Sequence, residues 1–150
     1  MTRRGLIASL PLALVLTPLA DADEKTIEWA TVERQTDLEK RASLAMDYAR
    51  HQVSAVVEAF QQSDADAAKL AIAELVKGVE TAQQALDDTG KKARRKPKHF
   101  KRAEIATRRL VGAIEDAQRT LLSAEREQLE PAKERVEEIN SQLMMAIFRK

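Results

Sequence analysis

Apolar residues recur along this chain at intervals of three and four, the spacing of one face of an α-helix. The first run is Leu38, Ala42, Ala45, Ala49, Val53, Val56 and Phe60, widened by Leu44, Tyr48 and Val57 into the broad stripe that a core-facing helix needs. The second run is Ala68, Ile72, Leu75, Val79, Ala82 and Leu86, the most regular in the chain. Ala103, Ala106, Leu110, Ile114, Ala117, Leu121 and Ala124 make the third. Leu129, Ala132, Val136, Ile139, Leu143 and Ala146 make the fourth, whose end is unusually apolar because Met144, Met145, Ile147 and Phe148 crowd into it.

Capping and breaking residues divide these runs into four predicted helices, at about 26–62, 64–89, 97–125 and 129–149. Ser63 or Asp64 is placed to cap the second helix, with acids in its first turn. Gly90 suits the left-handed position just past that helix. Pro97 and Pro131 suit first turns. Before Leu38 the pattern is less regular. Either Trp29 and Val32 ride on a continuous first helix, the reading favoured by the pattern, or Thr36 and Glu39 form a capping box that starts a new one. Short connections predict an all-α, up-down antiparallel four-helix bundle with successive helices side by side. Its first helix, at roughly 50 Å, is longer than the others, and part of it is expected to project or to pair with another molecule.

Residues 1–22 stand apart. Arg3 and Arg4 precede an apolar run from Leu6 to Leu16, Pro18 breaks it, and Ala20-Asp21-Ala22 offers small residues for cleavage. This is the layout of a secretory signal peptide removed after Ala22, followed by a bundle over 23–150. The run is short for a bilayer span and is interrupted by Pro11 before Pro18 ends it;. Thr2-Arg3-Arg4-Gly5-Leu6-Ile7 also resembles a twin-arginine export signal, while the Leu-rich run that follows suits general secretion. Both routes predict a soluble periplasmic or secreted protein.

Export changes the charge picture. Without residues 1–22 the chain has 23 basic and 23 acidic residues. Eight of those cations lie between residues 91 and 102, leaving 15 against 23 acids elsewhere, a balance of −8. The neutral average conceals an acidic body with a basic knob. The knob consists of Lys91, Lys92, Arg94, Arg95, Lys96, Lys98, Lys101 and Arg102, without one acid among them. Lys91 and Lys92 suit a helix C-terminus, but Lys96, Lys98, Lys101 and Arg102 crowd the start of the third helix, where the helix dipole disfavours positive charge. Local stability therefore gives no account of the cluster. An anionic partner does: an anionic polymer, a lipid surface or an acidic protein. Arg109 would extend the patch along the helix, and Phe100 offers one apolar contact. Export makes chromosomal DNA the wrong polyanion. The other accounts are pairing with the chain's own acids, or with a second copy in a homo-oligomer, and a passive loop.

Other chemistry is thinly represented. With no cysteine in the chain, disulfides and thiolate metal sites are excluded. Asp47 and His51 are four apart on one helix face and form the one arrangement for an enzymatic or metal-binding alternative. The Glu-x-x-His pairs of a di-iron bundle are missing, His99 sits among cations, and no matched His and Met pair offers axial haem ligands. No Gly-rich phosphate loop, G-x-S-x-G elbow or H-E-x-x-H helix occurs, nor the LTxxQ-type motif of periplasmic stress chaperones. The sequence thus predicts a non-enzymatic binding or structural protein without cofactor or metal.

Overall fold

The computed structural model describes residues 26–148; the expected signal peptide lies outside the described residues. The protein is all-helical. Its helices are α1 (Trp29–Arg34), α2 (Leu38–Gln61), α3 (Ala65–Asp88), α4 (Lys98–Thr120) and α5 (Ser123–Phe148). No helix of the described residues is long and apolar enough to cross a membrane.

The first predicted helix is broken, which corrects the continuous reading. Asp37 ends the break as the cap of α2, its carboxylate accepting from the Glu39 and Lys40 amides. It is thus Asp37, not Thr36, that caps the helix. The break lets α1 fold back instead of projecting. Val32 becomes fully buried, Trp29 packs on Tyr48 with ring centroids 5.0 Å apart, and Lys77 of α3 lies 4.0 Å over the indole. The Arg41 guanidinium closes the corner by donating to the Val32 and Glu33 carbonyls. A continuous helix would have held Trp29 and Val32 in water. Burial of Val32 and the packing of half-buried Trp29 outweigh the backbone hydrogen bonds lost at Gln35–Asp37;. Tyr48 in turn donates to Glu74, and burial first, then that carboxylate, pushes its phenol well above the usual range.

The α2–α3 connection follows turn chemistry closely. Ser63 takes the left-handed conformation (φ 57°). The Ser63 amide reaches the Phe60 carbonyl and the Asp64 amide the Ala59 carbonyl, the paired bonds of a Schellman ending. Asp64 then caps α3 through the Ala67 amide at 2.9 Å. Gly90 closes α3 with φ 64°.

The last two helices meet earlier than their pattern implied. α4 ends at Thr120 and α5 begins at Ser123, so Pro131 lies inside α5 and not at its start. The Gln118 amide donates to the Arg126 carbonyl and the Glu130 carboxylate, holding the first turns of α5 against α4. With the burial of Leu129, Ala132 and Val136, these contacts carry the helix through a proline that costs about 3 kcal/mol in a helix interior. Two stripe positions also shift. Ala124 and Ala146 are exposed, while Ile147 joins the core. Thr107 takes a fully buried place on α4, where its hydroxyl accepts from the Asn140 amide at 2.7 Å and lies 3.0 Å from the Ala103 carbonyl.

Within the hairpins the helices run antiparallel: Gly78 against Ala45 and Ala49 in α2–α3, Gln118 with Glu130 and Asn140 with Thr107 in α4–α5. The hairpins then stack in parallel, α4 on α2 through His99 and Glu39, α5 on α3 through Gln83 with Gln142 and Arg135 with Glu80. α3 and α4 touch only slightly. Around the core the order is therefore α2, α3, α5, α4, and not the simple succession the short connections predicted. Residues 89–97 cross from one corner to the opposite one. That diagonal is ~14 Å for helices ~10 Å apart, and nine extended residues reach about 30 Å, so the crossing is unstrained. The segment that crosses is the basic one.

Candidate anion-binding surface

The basic stretch is an ordered bracket. The Thr89 hydroxyl donates to the Leu86 carbonyl and accepts from the Lys91 amide. The Arg95 and Lys96 amides both donate to the Lys92 carbonyl, at 2.9 and 3.0 Å. Two apolar side chains fix the bracket to the protein: Ala93 and Phe100 are both buried in the core. Phe100 is thereby a core residue and not the contact residue the sequence offered.

With those anchors turned inward, Lys91, Lys92, Arg94, Arg95, Lys96, Lys98, Lys101 and Arg102 are all exposed. Of the eight, Lys91 has an internal partner, the Glu39 carboxylate at the start of α2. Among the described residues the other seven have no acidic group at ion-pair distance. Among the described residues, internal pairing therefore accounts for one cation. α4 starts at Lys98 behind Pro97, with no side-chain cap and no acid in its first turn. Its free amides and its cations thus point the same electrostatic way, toward an anion.

Glu39 is the acidic neighbour of the basic stretch that the sequence pattern does not reveal. Its carboxylate receives Lys91 on one oxygen and His99 Nε2 at 3.0 Å on the other. The Lys91 hydrogen bond chiefly, and the His99 ring next among the favourable influences, hold this carboxyl below the usual glutamate range. No local signal marks the trio, since its members are 52 and 60 residues apart. A depressed carboxyl contributes stability above the ordinary glutamate range and loses it as pH falls through the folded value. Glu39→Gln is accordingly expected to be less stable than the wild type at neutral pH, with the gap closing on acidification below that range. Urea unfolding of both proteins across that interval checks it; a gap independent of pH would mean that charge is not what Glu39 contributes.

Asp47 is exposed and lines a cleft of about 70 Å³ between α2 and α4 with Glu39, His99 and Arg102. His51 lies one turn on, half-buried. The cleft is far below the about 300–1,000 Å³ of a small-molecule pocket. Among the described residues no three His, Asp or Glu side chains gather where they could hold a metal ion. Arg109 is exposed on α4, two turns beyond Arg102, and continues the basic face. Comparison of the chain with protein-family models, with curated proteins and with solved structures finds no match.

Proposed function

We propose that this is an exported, non-enzymatic helical binding protein, an up-down four-helix bundle freed of its signal peptide after Ala22, which contacts an anionic partner through residues 91–102. One observation carries the reading. Seven exposed cations without an ion-pair partner among the described residues are held in place by buried Ala93 and Phe100. A passive loop needs neither the anchors nor the charge, and the arrangement costs stability through self-repulsion and an adverse helix dipole.

The test replaces Arg94, Arg95, Lys98 and Arg102 together by Gln, in a protein whose mature sequence is expected to start at Asp23. Each cation near an anionic surface is worth about 1 kcal/mol, so affinity for polyphosphate or for phosphatidylglycerol vesicles should fall on the order of a thousandfold. Wild-type binding should weaken with salt. The fold should be unchanged or slightly more stable. A variant that is less stable but binds as before would mean that the cations serve the fold, and the reading would be wrong.

A further inference from the structure

We propose that the last two turns of α5 and the basic stretch form one amphiphilic surface that docks on a bilayer containing anionic phospholipid. The cations hold headgroup phosphates while Met144, Met145 and Phe148 enter the acyl boundary. This rests on the anionic-partner reading and names the partner.

The apolar half is plain in the structure. Met144, Met145 and Phe148 are 44%, 53% and 69% exposed. With Ser141 they line one shallow apolar depression, at the spacing of a single helix face. The core does not need them, because Leu143 and Ile147 already supply the buried side of these turns.

Register joins this face to the cations. Asn140 donates to the Glu104 carbonyl and the Thr107 hydroxyl across the antiparallel α4–α5 pair. Each residue forward along α5 therefore matches one back along α4, which sets Met144 level with about residues 101–102 and Phe148 level with about residues 97–98. Lys98 and Lys101 stand at those levels. On the other flank, Gln83 of α3 bonds Gln142 and the helices run parallel, so α5 ends where residues 89–97 begin. Arg149 and Lys150 come next in the sequence. The acids at this end are Glu39, engaged by Lys91 and His99, Asp37, which caps α2 and pairs with Lys40, and Asp87 and Asp88 on α3.

Charge beside apolar surface selects the occupant. A soluble polyanion satisfies the cations and leaves Met144, Met145 and Phe148 in water. A two-fold dimer through the apolar face covers them but brings two basic stretches together. An anionic bilayer satisfies both, by Coulombic attraction to headgroups and by burial of large apolar side chains at the interface.

The test compares the wild type with the Met144→Ser, Met145→Ser, Phe148→Ser triple variant. Probes are phosphatidylcholine vesicles with and without phosphatidylglycerol, and soluble polyphosphate. All three residues are exposed, and circular dichroism verifies that the variant folds. The variant should lose on the order of a hundredfold in affinity for the anionic vesicles and bind polyphosphate as before. Phe148→Trp should show fluorescence quenched by brominated lipid beyond that from Trp29 alone. Equal vesicle binding by wild type and triple variant overturns the inference and leaves the anionic-partner reading standing, as does wild-type binding to polyphosphate or polyglutamate but not to vesicles. A wild-type dimer that the triple variant abolishes, without vesicle binding, assigns the face to a second copy and also overturns it. A wild type that binds neither vesicles nor any polyanion overturns both readings.

Discussion

Leu75→Ala is expected to lower the unfolding free energy by about 2–5 kcal/mol, the range for a buried leucine emptied to alanine. Leu75 is fully buried at the middle of α3, which packs on α2 and α5. Truncation removes its transfer free energy and leaves a cavity between helices that other contacts hold in place. Leu70 supplies the control. It lies on the same helix but is 64% exposed, and Leu70→Ala should stay within about 0.5 kcal/mol of the wild type. Urea unfolding followed by far-ultraviolet circular dichroism measures both. A cost below about 0.5 kcal/mol at Leu75 would mean that α3 presents a different face to the core.

The second large effect concerns two glycines whose replacements should act with opposite signs. By helix propensity alone, Gly→Ala inside a helix gains about 1 kcal/mol. At Gly112 of α4 an added Cβ meets nothing within 4 Å, so Gly112→Ala should stabilise by about 0.5–1 kcal/mol. At Gly78 of α3 the same Cβ would lie 2.8 Å from the Ala45 carbonyl oxygen and 2.9 Å from the Ala49 Cβ. The carbonyl is helix backbone and cannot move aside like a flexible side chain. Gly78→Ala should force α2 and α3 apart and cost about 1–3 kcal/mol net. Thermal unfolding of the two single variants decides the matter. Stabilisation at both sites would show that the α2–α3 approach is looser than the structure has it.

The candidate surface was half legible in the residues. The eight cations and their awkward place at the start of α4 follow from composition and the helix dipole. What they do not carry is their support. Nothing local says that Ala93 and Phe100 turn inward, or that Glu39 reaches across to Lys91 and His99. The apolar end of α5 also shows in the sequence, but not its position beside the basic stretch, because register between distant helices is set by packing and by polar pairs such as Asn140 with Thr107.

Two kinds of information therefore separate in this protein. The three-and-four spacing of apolar residues, a cap at Ser63 or Asp64 and the glycine at 90 determined an all-helical chain and most of its buried faces, since these depend on neighbours a turn away. Three further features belong to the tertiary structure. α1 folds back because Val32 is buried and Trp29 packs half-buried against Tyr48 of α2 and Lys77 of α3. α5 runs through Pro131 because Leu129, Ala132 and Val136 on either side of it are buried and Gln118 bonds its first turns to α4. The basic stretch crosses between opposite corners because the two hairpins stack in parallel. Each depends on free energy gained between residues far apart in the chain, and such terms override local propensity without leaving a periodic trace in the sequence.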